Sequence, residues 1–233
     1  MSNHSVEVKE LKTIPKSDYK VVLGVAGAGF IGNTATMFIA RSKGYKQVAW
    51  VKSNQIPPMT LITNGVPIQS FRIYLDESER VLLVITESLI PAEGCWSIAE
   101  SLMRWLQAKG VQEIYSLDGL PFSAVSTEVK ALTYSFKIDL TKHGYPILRE
   151  GALSGINSCI LEECIEKERP YACIFIPTNK LTSIDYTGSA DAIDVLNRIF
   201  KFGVDSSPLR VSNDAQKKAA KQRSGIGKMF KKG

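Results

Sequence analysis

The segment Val81–Thr86 (VLLVIT) is apolar at its first five positions. A strand with one face in water alternates apolar and polar residues, whereas an unbroken apolar run belongs in the middle of a sheet covered on both faces. This segment therefore requires helices on two sides, and the rest of the chain supplies them. Tyr19–Val25 (YKVVLGV), Gln47–Lys52 (QVAWVK), Val111–Leu117 and Tyr171–Ile176 read as further strands. Arg72-Ile73-Tyr74-Leu75 is expected to pair with Val81–Thr86 across the polar turn Asp76–Arg80. Between the strands lie helical stretches at Asn33–Ser42, Ser97–Lys109, Ser154–Arg169 and Ala190–Phe200. In the second, Ile98, Leu102, Trp105 and Leu106 fall on one stripe. This alternation predicts an α/β fold, a three-layer α/β/α sandwich with a mostly parallel central sheet.

The 233 residues suffice for one large domain, and a hydrophobic content of 44% excludes wholesale disorder. The expected division is an N-terminal segment over 1–18, the α/β domain over 19–203 and a basic tail over 204–233. Residues 208–233 hold eight basic side chains (Arg210, Lys217, Lys218, Lys221, Arg223, Lys228, Lys231 and Lys232) against Asp214 alone. That tail charge exceeds the net +6 of the whole chain, so the body ahead of it is close to neutral. A nucleic-acid partner, which calls for charge spread over a structured face, is disfavoured. No apolar run is long enough to span a membrane, and the polar stretch Met1–Lys16 lacks the apolar core of a secretory signal. The four cysteines (Cys95, Cys159, Cys164 and Cys173) form no CxxC pair and read as buried, reduced thiols. A cytoplasmic location is the expectation. His4 and His143 have no cysteine at ligand spacing, so no metal site is expected.

Gly27-Ala28-Gly29-Phe30-Ile31-Gly32 satisfies GxGxxG between a strand and a helix, the setting of a dinucleotide fingerprint. The acid expected about 20 residues later is missing, because the second strand ends Val51-Lys52-Ser53-Asn54. Lys52 and Ser53 offer instead a place for a 2′-phosphate. An NADP-dependent or other phosphate-ligand enzyme is therefore the alternative reading. The leading one is that the glycines allow a tight turn and close strand–helix packing, with no cofactor.

Three stretches resemble the proteasome assembly chaperone 2 family. They are LGVAGAGFIGNTA at 23–35, the block VLLVITESLIPAEGCWSIAESLMRWLQAKGVQEIYSLDGLP at 81–121, and the block over 150–197, in which a Gly-x-x-Ser-Gly turn leads into a helix, a strand and a last helix. Their order and spacing cover about residues 19–200. The resemblance implies an α/β/α sandwich, a homo-oligomer, and a non-enzymatic assembly factor that binds other proteins, notably proteasome subunits.

Candidate chemistry is sparse. Glu87 and Asp118 follow the strands Val81–Thr86 and Val111–Leu117, where α/β enzymes place acids and bases. A pocket lined by Glu87, Asp118 and the loop glycines Gly24, Gly27, Gly29 and Gly32 is the candidate ligand site. Solvated loop and capping roles are the favoured reading for the carboxylates, including Glu93 and Asp185. Ser154 lacks the glycine two positions before it that a nucleophile elbow requires, since residue 152 is Ala. Cys95 is expected to be a packed thiol, and no catalytic residue is assigned.

Overall fold

The apolar runs find each other as one sheet. In the computed structural model, which describes residues 6–121 and 129–211, ten strands and four α-helices form. In chain order these are β1 (Val6–Glu10), β2 (Lys20–Gly24), α1 (Ile31–Ser42), β3 (Lys46–Ser53), β4 (Thr60–Thr63), β5 (Val66–Gln69), β6 (Phe71–Asp76) and β7 (Val81–Thr86). Then follow α2 (Ala92–Ala108), β8 (Glu113–Pro121), β9 (Leu132–Phe136), α3 (Gly155–Glu166), β10 (Tyr171–Thr178) and α4 (Tyr186–Phe200). Eight strands make the main sheet in the order β1-β3-β6-β7-β2-β8-β10-β9, and β4–β5 form a separate hairpin.

The sandwich is the architecture read from the sequence. Its parallel part is the centre, where β7, β2, β8 and β10 run together. Both flanks are antiparallel: β1, β3 and β6 on one side, β9 on the other. β7 lies within the parallel centre and every residue of it is buried, as its composition requires. Alternation along each central strand divides the core in two. Val21 and Leu23 of β2 pack with Ile98, Leu102 and Leu106 of α2 and Ile156 and Ile160 of α3. Val22 faces the opposite layer, with Ile31, Ala35 and Ile39 of α1 and Ile193 and Leu196 of α4.

β1 falls within the polar stretch that carries no element in the sequence reading. It pairs with β3 at the sheet edge, with Val6 and Val8 packed on the core and Glu7 and Lys9 interleaved. The hairpin β4–β5 turns at Asn64-Gly65, both at positive φ (50° and 75°), the two-residue turn this dipeptide favours. After α4 the chain stays packed: Phe202, Val204 and Leu209 are buried, and Arg210 meets Asp191 and Asp194 at 2.9 and 2.7 Å. The basic residues from 217 onward lie outside the described residues. No helix among the described residues is long and apolar enough to cross a membrane.

Candidate functional site

A cleft of about 420 Å³ opens at the carboxyl ends of the parallel strands. Its floor is Val25 after β2, Thr86 at the end of β7, Asp118 to Pro121 of β8 and Phe175 of β10. Its walls are the glycine loop at Ala26–Ala28, Leu89 and Ile90 ahead of α2, and the first turn of α3. This is the crevice at strand ends where open α/β sheets take ligands.

Of the expected site residues, the fold brings Gly27 and Asp118 together. A side chain at Gly27 would start 3.2 Å from Asp118 Oδ1. Gly24, Gly29 and Gly32 serve packing: Gly24 lies against Thr36, Gly32 against the Leu117 carbonyl, and Gly29 against Thr178 and Asp185 at φ +66°. Glu87 is not in the cleft. β7 ends with Thr86 lining it, and one residue further the side chain points to the opposite face. There Glu87 lines a second hollow with Phe30, Asn33, Met37, Arg41 and Met59, and pairs with the fully buried Arg72.

Asp118 is partly buried, and burial pushes its carboxyl up to about 6 against the pull of Asn157 and the Gly119 amide. Asn157 Nδ2 lies 3.5 Å from Oδ2, and Gly119 N donates to Oδ1 at 2.9 Å. Among the described lining residues Asp118 is the one ionisable side chain, and none is Lys, Arg or His. The sign of its effect on stability follows. A carboxyl raised from 3.8 to about 6 binds its proton more tightly folded than unfolded. It therefore costs nothing below pH 3.8 and opposes folding increasingly as pH rises through 6. The full difference corresponds to about 3 kcal/mol, and water in the open cleft reduces it to about 1–2 kcal/mol. Asp118→Asn is accordingly expected to stabilise the chain at pH 7.5 by that amount and to leave it unchanged at pH 3.5. Denaturant melts at the two pH values check this, and an equal effect at both would contradict it.

The geometry does not support the nicotinamide alternative. The glycine motif itself forms a short 3₁₀ turn at Ala28–Phe30 ahead of α1, whose N-cap Phe30 is left-handed (φ 48°). The amides of α1 therefore do not open directly onto the loop. Beside Gly27 sits the Asp118 carboxyl, which would repel a pyrophosphate. Lys52 and Ser53 are on β3, three strands from β2, about 14 Å away at ordinary strand spacing. They line a separate hollow under the hairpin.

The remaining candidates have structural places. Asp185 caps α4, accepting from Gly188 N at 3.1 Å and from Thr178 Oγ1 at 2.7 Å. Glu93 stands in the first turn of α2, and Ser154 is the N-cap of α3. Cys95 is inside α2, which begins ahead of the expected Ser97, and burial raises its thiol. All four cysteines are buried and free. Two residues matter that sequence reasoning passed over. Arg72 is one, a cation in the otherwise apolar strand FRIYL. Asn157, an amide in the first turn of α3, is the other.

The model of the PAC2 family matches residues 21–223. The chain belongs to the PAC2 family. Solved structures share the fold. The structure of PbaA of Pyrococcus furiosus, described as an archaeal homologue of proteasome-assembly chaperone, superposes with a TM-score of 0.85 at 20% identity, covering 97% of this chain and 95% of that one. PbaB of the same organism, described as an archaeal proteasome activator, gives 0.81 at 16% identity over 94% and 98%. An uncharacterized protein of Methanocaldococcus jannaschii is 22% identical over 185 residues, covering 79% of this chain and 76% of its own length.

Proposed function

We propose that this PAC2-family chain is a non-enzymatic, protein-binding assembly factor that acts on proteasome subunits in the cytoplasm as a homo-oligomer. The observation that carries the reading is the full-length likeness to PbaA, a homologue of proteasome-assembly chaperone. The surface is consistent with it. Met59, Ile62 and Val66 on the β4–β5 arm and Leu89 and Trp96 at the start of α2 are all exposed. The two regions are tied together by Gln55, which bonds Ser97 and donates to the Glu93 carbonyl at 3.1 Å. Grouped apolar side chains left in water mark protein interaction sites. Four buried thiols, none in a disulfide, suit a reducing compartment.

Immobilised chain is expected to retain proteasome α-subunits from a mixture of purified α- and β-subunits. Failure to retain either class would sink the reading. Self-association is tested separately. Light scattering at micromolar concentration should give more than one chain per particle, and Ile62→Asp with Val66→Asp should lower the mass without altering the melt. A strict monomer in the parent chain would refute the homo-oligomer.

A further inference from the structure

Asn157 is 2% exposed and lines the cleft, and its Oδ1 has no hydrogen-bond partner. Its Nδ2 is engaged, 3.4 Å from the Leu117 carbonyl and 3.5 Å from Asp118 Oδ2, which leaves the oxygen as the free group. Buried acceptors are normally satisfied, and one left unpaired on a side chain that lines a cavity calls for a donor from outside the chain. Beside it is the Asp118 carboxylate. Together they make an acceptor-rich pole suited to an ammonium group.

The same turn of helix offers the opposite pole. α3 runs for 12 residues, its N-cap Ser154 makes no side-chain capping bond, and Ser154 and Gly155 are exposed. Its first amides and the positive end of its dipole are thus free to meet a carboxylate. Leu89, Ile90, Leu120, Ile156 and Phe175 supply apolar walls. The volume of about 420 Å³ lies in the range of small-ligand sites.

We propose that this cleft binds a free α-amino acid with an apolar side chain, its ammonium held by Asp118 and Asn157 Oδ1 and its carboxylate by the first-turn amides of α3. A simple amine leaves the helix amides unused. A simple carboxylate leaves Asn157 unpaired and faces Asp118. A phosphate ester brings more negative charge than one helix end meets without a basic side chain in the described lining. The titratable neighbours of Asp118 are Tyr171 and Cys173 of β10, both pushed up by burial and uncharged at neutral pH. Asp118 alone therefore governs the pH dependence, and affinity falls as it is protonated.

Calorimetric titration of the full chain with L-leucine, L-phenylalanine, isoamylamine and 4-methylpentanoate tests the site. Saturable binding of at least one amino acid is expected, with the amine and the acid each weaker by about tenfold or more. Binding should weaken between pH 7 and pH 5. Asp118→Asn should lose about tenfold or more in affinity while melting no lower than the parent without ligand, which separates lost binding from lost fold. The proposal is overturned if neither amino acid binds at about 10 mM. It is equally overturned if 4-methylpentanoate binds as tightly as leucine, or if the folded Asp118→Asn chain binds leucine unchanged.

Discussion

Glu87→Ala is expected to destabilise the chain by about 3–5 kcal/mol, although the Glu87 side chain is not fully buried. The reason is its partner. The Arg72 side chain is fully buried, while that of Glu87 is 22% exposed. Arg72 also donates to the Gln69 carbonyl and, at 3.1 Å, to the Tyr74 hydroxyl, but neither acceptor carries a charge. Removing the carboxylate strands a guanidinium that cannot deprotonate or turn to solvent. Burial pushes the Glu87 carboxyl up while Arg72 pulls it down, so the pair is held against a desolvation cost. The asymmetry yields a second outcome. Arg72→Met leaves a carboxyl that burial already pushes toward its protonated form and that can take up a proton, so it should cost less than Glu87→Ala. The double variant Arg72→Met with Glu87→Leu should recover most of the loss, as buried ion pairs exchanged whole for apolar residues do. Urea melts of the three variants give the comparison. A cost below about 1 kcal/mol for Glu87→Ala would show that the pair carries little of the stability of this layer.

Arg72 also shows where the sequence stops being legible. Local pattern reveals that FRIYL is a strand with a charge in it. It does not reveal that the charge faces the inner layer near the end of β7, because that depends on the register Arg72↔Ile85 between strands. The same limit separated Glu87 from Asp118. Glu87 follows β7, as its position suggests, whereas Asp118 lies within β8, which runs on to Pro121, and the two carboxylates meet different hollows. Elements with strong internal signals are a different matter. Val81–Thr86 has the bounds its composition predicts, and α4 ends at Phe200 as expected but begins at Tyr186, four residues ahead of Ala190, behind its Asp185 cap. α2 begins at Ala92, five residues ahead of Ser97, because Pro91 and Gly94 read as loop while Pro91 in fact serves as the N-cap. The edge strands β1 and β9 were illegible for a physical reason: an edge strand needs no continuous apolar run, and polar residues interrupt both, Glu7 and Lys9 in β1 and Thr133 and Ser135 in β9. Asn157 was hidden because an amide in a first helical turn looks like an ordinary polar residue until a cavity is seen beside it.

Gly24→Ala is expected to be the most damaging of the small substitutions in the glycine loop region. Gly24 closes β2 in an ordinary extended conformation, so the effect is one of space and not of backbone freedom. A methyl built there would stand 1.9 Å from Thr36 Oγ1, 2.7 Å from Thr36 Cγ2 and 2.6 Å from the Gly32 carbonyl oxygen. Thr36 is itself fully buried, and its hydroxyl is committed to the Gly32 carbonyl at 2.8 Å. β2 and α1 must therefore separate, and both contribute to the layer built from Val22, Ile31, Ala35 and Ile39. Overpacking of this kind costs about 3 kcal/mol, more where the obstacle is backbone. The side-chain and backbone parts can be told apart by a double-variant cycle with Thr36→Ala. Thr36→Ala removes both of the Thr36 atoms in the way but leaves the Gly32 carbonyl. Gly24→Ala should thus be partly rescued in the Thr36→Ala background, with a coupling of about 1 kcal/mol or more and a residual loss from the carbonyl contact. Full additivity would mean that the helix backbone alone sets the limit, and a neutral Gly24→Ala would mean that β2 and α1 are not in contact at this point. Since Gly24 precedes Val25 and Gly27 on the cleft wall, the cycle also measures how firmly the floor of the candidate site is held.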